Sequence, residues 1–285
     1  MLSPSYGSPD ARIIDWGAFA SADRHQSIHG QRLSAETPLR NDLLAALPRE
    51  AFAELRPRLE RVPLSRKQIL HERHVPLRYA YFIEDGAASV LSKTDDRGFA
   101  EVATLGRGDL VGVCLALGLT RSPHRCLVQV PGEALRIGAE ELSRALEALP
   151  ALRKLLLAYV QAAMVQSAQL AVCNTRHSLR ERLARWLLLA HDRLDGDEIP
   201  LTHQSLSRAI GVRRAGVTTA MGRMEEAGIV RRGRGRLVIL DRAALEAASC
   251  RCYGTIKAEH RRIFCSSEPD LPLGEPGGRR DACVA

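Results

Sequence analysis

Hydrophobic patterning changes twice along the chain. From Leu59 to Ile137 apolar residues fall in short, often alternating runs: Val62–Leu64, Gln68–Leu70, Tyr79–Ile83, Ala87–Leu91, Phe99–Leu105, Cys126–Val130 and Ala134–Ile137. Turn residues separate them at Glu84-Asp85-Gly86, Asp95-Asp96-Arg97-Gly98, Gly106-Arg107-Gly108-Asp109 and Pro131-Gly132. Many short strands at near-regular spacing predict an antiparallel sandwich or jelly roll. Ahead of them, Asn41-Asp42 leads a short helix with Leu43, Leu44 and Leu47, and a second follows from Ala51 towards Leu59. Residues 1–37 show no sustained periodicity and read as a flexible extension.

After Ala139 the period becomes helical. Leu152, Leu156, Tyr159, Ala163, Gln166, Leu170 and Cys173 lie alternately four and three apart, a heptad-like seam through one long helix. Such a seam either packs on its own domain or pairs with its copy in a dimer. The length of the segment favours the dimer, with Gln166 fixing register. Ser178-Leu179-Arg180-Glu181 fits a capping box, so a new helix starts there, and residues 174–177 form a hinge.

Thr202–Glu226 predicts two short helices around a tight turn. Thr202 is a good N-cap, and Gly211 suits the left-handed residue that ends the first helix. The second helix, from about Arg213, turns Val217, Ala220, Met221 and Met224 inward and Arg213, Arg214, Thr218, Thr219 and Arg223 outward. This is the layout of a helix-turn-helix, whose second helix enters the DNA major groove. An ordinary helical hairpin with a solvated basic face is the alternative. Behind it, Val230 leads into Arg231-Arg232-Gly233-Arg234-Gly235-Arg236, and Leu237–Leu240 returns. An arginine-rich hairpin beside a recognition helix reads as a wing laid over phosphates.

The division is therefore α+β. Residues 1–37 form the extension, 38–138 a sensor domain, 139–174 the dimerisation helix and linker, 175–249 a winged helix-turn-helix, and 250–285 a last helix and loose tail.

Charge strengthens the nucleic-acid reading. The 285 residues carry a formal charge of +8, and the stretch Thr202–Arg236 holds eight arginines and no lysine against Glu225 and Glu226. Planar guanidinium forks suit base edges and phosphates. Hydrophobic content of 45% excludes a disordered chain, and 4% aromatics leaves aliphatic cores. No secretory signal is visible at the start, and the most apolar run, Leu110–Leu119, is too short to span a bilayer, so a cytoplasmic protein without a membrane partner is expected. Seven irregularly spaced cysteines do not make a disulfide framework.

A β-rich N-terminal half, a long central helix and a winged helix together resemble the cyclic-AMP receptor protein/FNR (Crp/Fnr) family of bacterial transcription regulators. The resemblance runs from about Leu43 to Ala248 and is strongest in CNTRHSLRERLARWLLLAHDRL and LTHQSLSRAIGVRRAGVTTAMGRMEEAGIVRRGRGRLVIL. It implies a cyclic-nucleotide-binding-like jelly roll, a homodimer, a two-fold symmetric operator in double-stranded DNA, and RNA polymerase as a partner. Base reading falls to Arg213, Arg214, Thr218, Thr219 and Arg223. Phosphate contact falls to Thr202, Gln204, Ser205, Arg231, Arg232, Arg234 and Arg236. Arg214 occupies the family's first base-reading arginine, whereas Ala215 and Thr219 replace its glutamate and later arginine, so a distinct operator is expected.

The sensor half departs further. In LGRGDLVGVCLALGLTRSPHRC, Gly112 matches the family's Gly-Glu pair but Val113 replaces the glutamate. A ribose hydroxyl would lose a charged acceptor worth about 1.5–3 kcal/mol. Arg121-Ser122 is the candidate phosphate pair, displaced by about one residue. The effector is therefore a small molecule other than cyclic AMP, with no cofactor assigned. The absence of cysteine before Cys114 argues against the family's iron–sulfur mode; haem sensing stays an alternative, because a single His or Cys ligand leaves no spacing motif, although His71, His74 and His124 read as surface or core residues. Cys114 and Cys126 flank the pocket as redox candidates. Cys250-x-Cys252, with Cys265 and His260, lacks zinc-ribbon spacing, so no metal site is expected. Two other classes compete with DNA binding. A sensor acting through protein contacts would need an acidic or apolar recognition face, and a jelly-roll enzyme would need a His/Glu cluster on its strands, which the sequence lacks.

Overall fold

The structure, a computed structural model, describes residues 30–33, 38–94 and 98–264. Most of the extension, the expected turn at residues 95–97 and all of the tail, with Cys265 and Cys283, lie outside them. Within the extension, Gln31–Arg32 forms a strand, β1, antiparallel to β2 (Glu60–Leu64). Between them come α1 (Asp42–Ala45) and α2 (Arg49–Leu55). Asn41 caps α1 by accepting from the Leu44 amide and also donates to the Ile83 carbonyl, which fastens the short helix to the sheet.

The sheet continues through β3 (Ile69–His71), β4 (Tyr79–Lys93), β5 (Phe99–Leu105), β6 (Leu110–Val111) and β7 (Arg125–Gly138). Its order is β1-β2-β7-β4-β5, with β3 also on β7 and β6 also on β4. Because β4 and β7 each hold different neighbours at their two ends, the sheet rolls over instead of lying flat.

Two expected breaks are not chain reversals. Tyr79–Ile83 and Ala87–Leu91 are one strand, as are Cys126–Val130 and Ala134–Ile137. The register slips between Ile83 and Ala88, where Gly86 has φ +80°, so the turn residues build a bulge that bends the pair. Gly132 sits opposite it, where a Cβ would lie 2.2 Å from the Asp85 carbonyl oxygen.

After β7 come α3 (Ala139–Ala148) and α4 (Pro150–Arg176). Leu152, Leu155, Leu156, Tyr159 and Ala162 of α4 share one core with Leu43, Phe82 and Leu135. The C-terminal half follows as α5 (Leu179–His191), β8 (Glu198–Ile199), α6 (His203–Ile210), α7 (Arg214–Glu226), β9 (Val230–Gly233), β10 (Arg236–Ile239) and α8 (Arg242–Ala248). Ser178 and Glu181 form the expected capping box at the hinge. The last helix, α9 (Cys252–Phe264), returns along α4 and sets Ile263 into the sensor core.

The predicted dimer seam is therefore corrected. Leu152, Leu156, Tyr159, Gln166 and Cys173 are buried by the chain itself, with Ala163 and Leu170 half-buried beside them. Tyr159 donates to Asp109 and accepts from the Leu110 amide, while Gln166 accepts from Arg193 and approaches His260. Heptad spacing reports that a stripe is buried; it does not report what buries it. The exposed apolar face of α4 lies one residue round, at Leu157, Met164 and Ala171, with Val172 alongside. α4, and not Leu110–Leu119, is also long and apolar enough by composition to cross a membrane, but its inward face is filled by sensor core and α9.

One buried polar node joins the halves. Asp109 and Arg193 pair at 2.8 Å, both under 10% exposed, and Asp109 also accepts from the Gly106 amide and Tyr159. A buried charge pair persists only when its remaining hydrogen-bonding groups find partners, as these do.

Candidate nucleic-acid interface

α6 and α7 stand on a core of Leu206, Ile210, Val217, Met221 and Met224, covered by α5 and by Val230, Leu237 and Ile239 of the hairpin. Gly211 has φ +70° and ends α6, as its lack of a Cβ allows. Arg213 is the N-cap of α7, so the helix begins at Arg214, one residue later than expected.

With the inward face so fixed, Arg213, Arg214, Thr218, Thr219 and Arg223 are all exposed on the opposite side. Thr218 and Thr219 donate to the carbonyls of Arg214 and Ala215 one turn back, which orients their hydroxyls and leaves lone pairs outward. His203 of α6 lies 3.1 Å from the Thr218 hydroxyl, a neighbour that no spacing in the sequence marks. Burial and the adjacent Arg232 and Arg214 push its pKa below the usual histidine value, so the ring is neutral near pH 7.

Thr202 and Ser205 cap each other reciprocally across the start of α6, and the Ser205 hydroxyl also donates to the Thr202 carbonyl. Their hydroxyls are thus engaged in the cap, while Gln204 projects into solvent. The hairpin of β9 and β10 turns at Arg234-Gly235, where Gly235 has φ +74°. Arg231, Arg232, Arg234 and Arg236 are exposed. Two are partly spoken for: Arg232 is bound by Glu225 of α7, whose carboxyl it holds below its usual range, and Arg236 lies 3.3 Å from Glu198. The Glu225–Arg232 pair also fixes the wing's angle to α7. Arg231 and Arg234 make no ion pair among the described residues.

The sensor candidates are placed differently. Gly112, with φ +90°, opens a short 3-10 turn over Val113–Leu117, and Arg121 and Ser122 follow it. Arg121 donates one guanidinium nitrogen to the His74 carbonyl at 2.6 Å, and Ser122 accepts from the His124 amide. Burial drives the Cys126 thiol up to about 12 and raises Cys114, the opposite of a reactive thiolate. Burial also lowers His71 to about 4. A cavity of about 360 Å³ lies elsewhere, between β5, α4 and α5, lined by Glu101, Gln166, Arg185, Trp186 and Arg193 among others. The sequence did not mark it, because its walls come from three distant segments.

Cysteine and histidine converge at a second place. Cys173 and His177 at the end of α4 meet Cys250 and Cys252 at the junction of α8 and α9, all four ligand atoms lying within 4.8 Å of one another. Cys250-x-Cys252 thus finds its neighbours at the end of α4, in Cys173 and His177, while Cys265 lies outside the described residues.

Comparison with known proteins matches both halves. The cyclic nucleotide-binding domain model matches residues 61–148, and the Crp-like helix-turn-helix domain model matches residues 181–248, together more than half of the chain. No curated protein matches in sequence. Among solved structures, FixK2 from Bradyrhizobium japonicum is similar at 16% identity and a TM-score of 0.58, over 67% of this chain and 98% of that one. The c-di-GMP responsive global regulator CLP from Xanthomonas campestris is similar at 16% identity and a TM-score of 0.52, over 67% and 97%. A CRP-family transcriptional regulator from Thermus thermophilus, TTHB099, gives 21% identity and a TM-score of 0.50, over 66% and 95%. These structural likenesses bear on the fold, and the two matched domains carry the assignment in their order along the chain. The chain belongs to the Crp/Fnr family of transcription regulators.

Proposed function

We propose that this chain is a homodimeric, sequence-specific DNA-binding regulator whose α7 reads the major groove while the β9–β10 wing rests on phosphates. The observation that carries this reading is a set of exposed arginines on two adjoining elements. Arg213 and Arg214 at the start of α7, Arg223 further along it, and Arg231 and Arg234 on the wing are all exposed, while the apolar sides of both elements face one core. The same surface gives the protein-contact alternative no acidic or apolar recognition face. By family likeness the regulator works in the cytoplasm on a two-fold operator and engages RNA polymerase there.

Dimerisation is assigned to the outer face of α4. Leu157, Met164 and Ala171 are seven residues apart, the spacing of a coiled-coil position, and Leu157 and Met164 are 43% and 63% exposed in the single chain. The effector is a small molecule other than cyclic AMP, since Val113 supplies no acceptor for a ribose hydroxyl.

Competition binding tests the proposal. Purified protein should bind fragments of its own genome in the presence of excess random duplex, and affinity should fall steeply with salt as arginines displace counterions. Equal affinity for every fragment, with and without cell extract as a source of effector, would contradict it.

A further inference from the structure

We infer that Cys173, His177, Cys250 and Cys252 bind a structural zinc-type divalent ion that staples the end of the central helix to the α8–α9 junction. Cys173 lies on the last turn of α4, and His177 is the extended residue just past its end, where the chain turns the imidazole back towards the cysteines. The 173 Sγ lies 3.5 Å from the 250 Sγ, and the 252 Sγ lies 3.5 Å from His177 Nδ1. Zinc–sulfur bonds of about 2.3 Å and a zinc–nitrogen bond of about 2.0–2.1 Å, at tetrahedral angles, set neighbouring ligand atoms about 3.5–3.8 Å apart. These two separations match that shell, the others stay within 4.8 Å, and 3.5 Å between sulfurs is far too long for a bond of about 2.05 Å. A cluster of four irons would hold its cysteines further apart than this.

The surroundings fit thiolates independently. The three cysteines are at most 5% exposed, and His177 is half-buried. Arg185 of α5 is 4% exposed, donates Nε to the 173 Sγ at 3.2 Å, and makes no ion pair among the described residues. Gln169 donates to the 252 Sγ at 3.2 Å. Three thiolates around a divalent ion leave one negative charge, which the buried guanidinium of Arg185 balances. Donors placed on ligand sulfurs are the usual outer support of a metal site. Four protein ligands close the coordination shell, which marks a structural rather than a catalytic ion. Its ligands straddle the hinge at Ser178, so the ion sets the angle between α4 and the DNA-binding half.

Metal analysis of the full chain tests this. Protein purified in reductant without a histidine tag should keep one zinc per chain after exhaustive desalting. Exchange for cobalt should give the intense visible bands of a tetrahedral site with thiolate charge transfer. The double variant Cys173→Ser/Cys252→Ser should lose the metal, and Cys114→Ser should keep it. Arg185→Gln, outside the ligand set, should weaken zinc binding roughly 10–100-fold. Should the serine variants fail to fold, the cobalt spectrum of the unaltered chain decides. A chain that takes up neither metal, an octahedral cobalt spectrum, an iron–sulfur chromophore, or a 173–250 disulfide formed under the same reducing conditions would each overturn the inference.

Discussion

Arg214 and Arg234 have the same side chain and different tasks, set by where the backbone presents them. Arg214 opens α7, and in the proposed docking that end of the helix meets base edges. Arg234 sits at the tip of a two-strand hairpin, which in the proposed docking lies over phosphate. Arg214→Ala should therefore cost about 1–3 kcal/mol of discrimination at one base pair in each half-site, read by titrating single-base variants of a bound fragment. Arg234→Ala should weaken all duplexes alike and lower the salt slope by about one per wing. Equal effects of the two changes would mean that the helix and the wing had been assigned wrongly. Both residues were legible in the sequence because their exposure follows from helical period and hairpin length. His203 was not, since its approach to Thr218 depends on how α6 crosses α7.

Among the elements, α4 separates local from tertiary information most clearly. Its length and its buried stripe could be read from spacing, yet the stripe through Leu152, Leu156 and Tyr159 belongs to the sensor core. The free face, advanced by one residue and so turned by about 100°, is where a second copy would sit. Met164→Glu on that face should convert the dimer to monomer in sedimentation, whereas Gln166→Ala, behind it, should leave the association state unchanged. An intact Met164→Glu dimer would move the interface elsewhere. The strands failed to read for a related reason. Glu84-Asp85-Gly86 and Pro131-Gly132 have turn composition, but pairing between β4 and β7 holds both segments in one bent ribbon. The cysteine cluster was illegible because its members, 173 and 250, are brought together only when α9 folds back on α4.

For the whole molecule, the Asp109–Arg193 node, the α9 return and the cysteine–histidine cluster tie sensor, central helix and DNA-binding half into one body. In the proposed dimer, that body doubled across α4 would present two copies of α7 to one face of a duplex. The most direct measurement is selection of bound sequences from random double-stranded DNA by the full-length protein. An inverted repeat should emerge, its half-sites centred about one helical turn, ~34–36 Å, or a multiple of it, apart, with preference lost at the Arg214 position in Arg214→Ala. Enrichment of a single unrepeated site, or of no sequence at all, would contradict the two-fold reader.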